Sequence, residues 1–305
     1  MSRELRVIPV PGYGAEDVLV TEAGVFTGTK DGSIFRITRD GDRIERVAAT
    51  GGRPLGIESL PDGQLLVCDA QSGLLSVDPE SGSVTTLVRE IDGRPMRFCN
   101  NAAVSSNGDI YFSDSSTEYS IEQWKADLIE DTRTGRLLVR RADGSVEVLL
   151  TALAFANGVA LAPDESFVAV AETGARTLVR LWLTGDRAGQ RDLLVDDLPG
   201  YPDNISRGSD GLIWVSIASP TDPVVEAMQR GPILLRRSVT KIPAAIQPKP
   251  KRTVRAMAFR PGGALARDEQ VATDRFHMVT GVREHSGQLW LGSLEEPAIA
   301  VLDLD

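Results

Sequence analysis

Short apolar runs, alternating or continuous, recur along the chain, and each is announced by a tight polar turn. Glu22-Ala23-Gly24 precedes VFTG, Pro61-Asp62-Gly63 precedes QLLVCD, and Ser106-Asn107-Gly108 precedes DIYFSD. The pattern returns at Pro163-Asp164-Glu165 before SFVAVAE, Ser209-Asp210-Gly211 before LIWVS, and His285-Ser286-Gly287 before QLWLGS. Asp, Asn and Gly at a turn followed by β-branched or aromatic residues is a hairpin signal. Further strand pairs lie between these units, including SIFRITRDGDRIERV and GRLLVRRADGSVEVLL. Four strands repeating every ~40–45 residues is the pattern of propeller blades.

Turn positions 24, 63, 108, 165, 211 and 287 are 39, 45, 57, 46 and 76 residues apart. The two longest gaps carry insertions at 116–135, with a helical YSIEQWKADLIEDT, and at 221–252, partly helical and ending in Pro248–Arg252 (PKPKR). Setting these aside restores one blade per repeat. The pattern therefore predicts an all-β fold, one six-bladed propeller over residues 1–305 with short helical insertions. The strand around Arg6–Val10 is expected to pair with the C-terminal AIAVLDL and close the ring. Two separate sandwich domains are the alternative, but no linker or shift in composition marks a boundary.

Composition narrows the function. The 305 residues are 42% hydrophobic and 25% charged, which excludes a disordered chain, and no apolar run is long enough for a membrane-spanning helix. With 33 Lys and Arg against 43 Asp and Glu the net charge is -10, so neither nucleic acid nor an anionic membrane is an expected partner. The opening MSRELRVIPVPG has no apolar signal core, and a cytoplasmic protein is expected. Cys68 and Cys99 are too few for a disulfide framework or a thiolate zinc site, and His277 and His285 leave little scope for a histidine-built centre. Any metal is expected to be held by oxygen.

Candidate ligands follow from the repeat. Eight positions before each turn residue stand Glu16, Leu55, Asn100, Asn157, Asp203 and Val279. Equivalent positions on the inner strands of a propeller converge on its channel, and four of these carry oxygen donors. Two carboxylates and two amides around one axis suit a divalent cation, Ca²⁺ first, with Mg²⁺, Mn²⁺ or Zn²⁺ as alternatives. Taken singly, each residue could equally be a turn former bonding its own backbone. Arg53 lies near the channel end of the second blade, where it could orient an anionic substrate or make a structural ion pair. Asn204, beside Asp203, could add a rim amide, and His277 could reach the channel mouth as a proton carrier or simply pack. Phe98, Met96, Phe155 and Trp124 are candidates for pocket lining or blade packing, while Cys68 and Cys99 read as core residues and His285 as a turn residue. The 221–252 insertion is the candidate lid.

The segments GAEDVLV (14–20), GRPLGIESLPDGQLLVCDAQSGLLSVDP (52–79), DIYFSDSS (109–116), FANGVALAPDESFVAVAET (155–173), LPGYPDNIS (198–206) and EHSGQLWLGSL (284–294) carry a resemblance. Nearly the whole chain resembles the senescence-marker-protein, gluconolactonase and luciferin-regenerating-enzyme-like propellers, in their strictosidine-synthase-like branch. The resemblance implies a metal held by Glu16, Asn100, Asn157 and Asp203, with Asp203 activating water or attacking directly. It implies a lactonase, a metal-dependent hydrolase of a lactone or related ester. Asn101 stands where such proteins often have Asp, which removes a carboxylate beside the metal and alters substrate contacts. The catalytic glutamate of the plant alkaloid-condensing enzymes would fall at about Thr280, so that condensation is not supported. A biosynthetic tailoring enzyme using the same metal, or a binding module with a structural metal, stays open beside the hydrolase.

Overall fold

The computed structural model describes residues 4–240 and 250–304. Their strands form six four-stranded antiparallel sheets arranged in chain order, plus a small ribbon of Glu90–Ile91 with Arg94–Pro95. The inner strands of the blades are Val18–Thr21, Pro54–Ser59, Cys99–Val104, Ala156–Leu161, Gly200–Arg207 and Val279–His285. Blade 6 is completed from the other end of the chain. Arg6–Pro9 pairs antiparallel with Ala298–Asp303, Arg6 opposite Val301 and Pro9 opposite Ala298. The ring is the six-bladed propeller that the repeats predict.

Burial tracks position within a blade. Second strands such as Leu65–Asp69, Ile110–Asp114 and Phe167–Glu172 are buried throughout, because neighbouring blades cover both faces. Their sequences are accordingly near-continuous in apolar residues. Outer strands such as Ile44–Ala49 and Leu265–Val271 are partly exposed and mix polar residues in. The cores sit between blades, where Trp214 and Trp290 are fully enclosed.

The inner strands share an irregularity that positions the site. In blade 3, Cys99 faces Asp114 and Ala102 faces Phe112, so Asn100 and Asn101 together oppose one residue. The same bulge places Asn157 and Gly158, Asp203 and Asn204, and Thr280 and Gly281 in pairs, and blade 2 has a register shift around Leu55. A β-bulge bends the strand and re-aims the extra side chain, here toward the channel.

The described parts of both insertions fold over one end of the channel. Residues 116–135 contain α1 (Trp124–Glu130), and residues 221–252 contain α2 (Pro223–Gln229) and α3 (Ile233–Thr240). Helix α2 starts with Asp222 accepting from Val224 N at 2.8 Å and Pro223 in the first turn. Buried Glu130 ties α3 down. Its side chain accepts from Arg237 Nε (3.3 Å) and Thr240 Oγ1 (3.2 Å), and its carbonyl accepts from Arg236 at 2.6 Å. Pro248 and Lys249 of the PKPKR stretch lie outside the described residues.

Candidate active site

Glu16, Asn100, Asn157 and Asp203 line one cavity of about 220 Å³ at the capped end of the channel. All four are at most 9% exposed. The amides are oriented from behind. Asn100 Nδ2 donates to Ser115 Oγ at 2.9 Å, and Asn157 Nδ2 donates to Thr173 Oγ1 at 3.1 Å. Thr173 is itself fixed by donating to the Pro202 carbonyl at 2.7 Å. With both nitrogens committed, Asn100 Oδ1 and Asn157 Oδ1 are left buried and without a partner, as is Asp203 Oδ1. Orphaned buried oxygens are costly and call for a ligand with positive charge.

The electrostatics agree. Burial pushes the Glu16 carboxyl up to about 7, opposed by the Arg53 guanidinium 3.3 Å away. Burial also raises the Asp203 carboxyl well above its ordinary value, and the neighbouring Glu16 charge raises it further. Two acids that resist ionisation beside two amide oxygens form a donor set suited to a hard dication. Among the described residues no cluster of three or more His, Cys, Asp or Glu suited to a metal is present, since half of this set is amide.

Three layers of side chains stack along the channel. The donor layer comprises Glu16, Leu55, Asn100, Asn157, Asp203 and, in blade 6, Thr280. Val279, the sixth residue selected by the eight-position spacing, instead pairs with Ser293 beside the bulge. Blade 6 turns in two residues, with His285 opposite Gln288, whereas in blade 3 the turn is wider and Ser105 N donates to Asp109 O. The shorter turn moves the equivalent position by one. Thr280 is fully buried and donates to the Glu16 carbonyl at 2.9 Å.

Two residues before the donors, all but Tyr201 just ahead of the inner strands, stand Gly14, Arg53, Phe98, Phe155, Tyr201 and Met278. Phe98, Phe155, Tyr201 and Met278 line the cavity above the oxygens. Arg53 lies flat against Glu16 instead, in space that Gly14 leaves open; a Cβ there would sit 3.0 Å from Arg53 Nη2 and 2.7 Å from the Leu294 carbonyl. One residue beyond the donors, Asp17, Asn101 and Asn204 alternate with Gly56, Gly158 and Gly281. Asp17 accepts from Ile57 N (3.1 Å), and Asn101 accepts from Val159 N (2.9 Å), binding blade to blade. Both side-chain atoms of Asn204 are buried without a partner.

The remaining candidates are thereby located. Arg53, Asn101 and Asn204 sit beside or beneath the donor layer and do not line the cavity. His277 precedes the inner strand and is held by Glu296, by Glu295 at 3.0 Å and by Arg252 at 3.3 Å; Met278 takes its expected place at the cavity wall. Trp124 lines the cavity, whereas Met96 packs with Cys68 and Cys99 in the core between blades 2 and 3. Ser115 and Thr173 escaped the residue pattern, yet a signal existed. Asn100 and Asn157 are followed 15 and 16 positions later by a hydroxyl residue, while Leu55 is followed after 15 by Ala70.

Comparison with known proteins places this geometry. The strictosidine synthase family profile matches residues 100–186. Adipocyte plasma membrane-associated protein of Rattus norvegicus is 33% identical over 320 residues, covering 95% of this chain and 83% of the relative. Strictosidine synthase-like protein 10 of Arabidopsis thaliana is 36% identical over 267 residues, covering 83% and 70%. The chain belongs to the strictosidine synthase-like family. Its fold is also that of a gluconolactonase from Xanthomonas campestris (TM-score 0.72, 15% identity, 99% of this chain and 90% of that one). The calcium-binding protein regucalcin from Agrobacterium tumefaciens matches equally well, with a TM-score of 0.69 at 13% identity over 100% and 95% of the two chains. At such identities the likeness to solved structures concerns the fold.

Proposed function

We propose that this strictosidine synthase-like protein is a metal-dependent hydrolase that opens a lactone or related ester over the donor layer. The observation that carries the reading is the trio of orphaned oxygens, Asn100 Oδ1, Asn157 Oδ1 and Asp203 Oδ1, facing one cavity with Glu16. Those four residues would hold the cation, Ca²⁺ in the first instance, since one protein of this fold, regucalcin, binds calcium. When bound, the cation supplies electrophilic stabilisation of the negative charge that develops on an ester carbonyl oxygen.

The chain's own groups do the rest. Asp203, ionised once the cation is bound, is the group that would take the proton of the attacking water. Glu16 balances charge and is held in place by Arg53. Ser115 and Thr173 keep the two amides oxygen-first. The cap and the apolar wall exclude bulk water, which strengthens each of these interactions. A condensation needing an acid–base group on the last blade has no support, because Thr280 offers only a buried hydroxyl already given to the Glu16 carbonyl.

Elemental analysis of the purified protein, with a pH-monitored panel of lactones, aryl esters and phosphotriesters, tests the reading. Chelation is expected to abolish turnover and Ca²⁺ to restore it. Asp203→Asn is expected to lower kcat by about 10³-fold or more while the fold is retained. Full activity after verified removal of all metal would sink the proposal. Loss of folding with no turnover by the wild-type protein would favour a binding module with a structural ion.

A further inference from the structure

We propose that the site takes a substrate with an apolar body and few hydroxyl groups, gripped by Phe98, Phe155, Tyr201 and Met278 below and by Trp124 and Met228 of the cap. For the reacting group the inference rests on the hydrolase reading; the apolar body is argued independently.

Four of the six positions directly above the oxygens carry the large, mostly apolar side chains Phe98, Phe155, Tyr201 and Met278. Phe98 and Phe155 meet edge to face at 5.3 Å, with their planes 78° apart. Phe155 and Met278 reach the cavity from left-handed backbone, at φ 62° and φ 51°. Non-glycine residues hold that conformation only where the surroundings require it, and here it delivers both side chains to the wall. Helix α1 adds Trp124, which packs against the cluster containing Phe98 and Phe155, and α2 adds Met228.

Apart from Lys125 of α1, whose ammonium lies 5.5 Å from the centre of the Trp124 ring, the polar groups in this wall are already committed. Thr173 Oγ1 is held between Asn157 and the Pro202 carbonyl. Tyr201 Oη accepts from Asp222 N at 3.3 Å and donates to Glu226 at 3.4 Å. Asp222 caps α2, and Ser219 Oγ donates to the Pro220 carbonyl at 3.4 Å. A polyhydroxylated lactone would bury hydroxyls against partners that are spent or absent, and each such loss is expensive. An alkyl or aryl body instead gains with every apolar group enclosed. The wall therefore selects against a sugar lactone, although sugar-lactone chemistry is what the name of one structural neighbour suggests.

The test uses the metal-loaded full chain with δ-lactones carrying alkyl chains of zero to eight carbons, beside glucono-δ-lactone. Matched alkyl δ-lactams, which resist hydrolysis, report binding by calorimetry. The expectation is a rise of about fourfold in kcat/KM, and in lactam affinity, for each methylene until the cavity is filled. Met228→Gln and Trp124→Ala are each expected to cut that slope to about twofold or less. The Met228→Gln exchange keeps side-chain length should the tryptophan variant fold poorly. Rising lactam affinity without turnover of any lactone would uphold the apolar site and remove the hydrolase reading. Faster turnover of glucono-δ-lactone than of the octyl lactone, or a flat chain-length series in wild type, would overturn the inference and leave the hydrolase standing. No lactone turnover together with no lactam binding would end both.

Discussion

An asparagine offers its oxygen to a cation reliably only when its nitrogen is occupied elsewhere. Ser115 and Thr173 occupy the amide nitrogens of Asn100 and Asn157, as the proposed cation site requires. Groups that orient ligands in this way typically matter 10- to 100-fold for metal affinity. Ser115→Ala and Thr173→Ala are each expected to weaken Ca²⁺ binding about tenfold by calorimetry and, because each leaves a buried amide nitrogen unpaired, to lower the melting temperature in chelator as well. The acids make a separate prediction. In the unfolded chain Glu16 titrates near 4.5, and in the fold burial moves it to about 7. Between those values the metal-free folded protein retains a proton that the unfolded chain has released. The stability associated with this group is therefore complete below about 4.5 and is lost as pH rises toward 7, and Asp203 acts in the same direction. In the proposed site a dication would replace the lost proton. The rise in melting temperature on adding Ca²⁺ should grow between pH 5 and pH 8, and an equal rise at both would contradict the site.

At the level of the strand, the site is built from bulges. A regular inner strand would send alternate residues to opposite faces. The bulges bring consecutive residues such as Asn100-Asn101 and Asp203-Asn204 into two successive layers of the channel. The closeness of neighbouring blades at the lower layer explains its glycines. A Cβ on Gly158 would lie 2.1 Å from Ile205 N and 2.7 Å from Asn204 Cα, backbone that cannot give way cheaply. Gly158→Ala is accordingly expected to destabilise the protein by about 2–3 kcal/mol, read as a lower denaturation midpoint. It should also reduce Ca²⁺ affinity, because the strain falls between Asn157 and Asp203.

For the molecule as a whole, convergence on one axis depends on ring closure. The last sheet would end at Ala298–Asp303, a strand of mostly buried apolar residues, if Arg6–Pro9 did not cover it. An uncovered apolar edge is a template for pairing with another chain. Removing residues 1–9 is expected to lower the melting temperature and to produce concentration-dependent aggregation by light scattering. Cation affinity should fall as well, since Glu16 and Thr280 meet at the joint between first and last blades.

Blade number, the insertions and the closing strand were legible in the residues because strands and tight turns are written in local periodicity. That Glu16, Asn100, Asn157 and Asp203 would meet at one cavity was legible for the same reason, a near-constant spacing between inner-strand residue and turn. That spacing failed in blade 6, where a turn one residue tighter substituted Thr280 for Val279. Tertiary structure alone decided that Arg53 would face Glu16, that His277 would be claimed by Glu295, Glu296 and Arg252, and that Met278 would reach the cavity. These outcomes depend on bulges, left-handed backbone and contacts between residues as far apart as 16 and 280. Local pattern sets which elements form; closure of the ring sets which side chains meet.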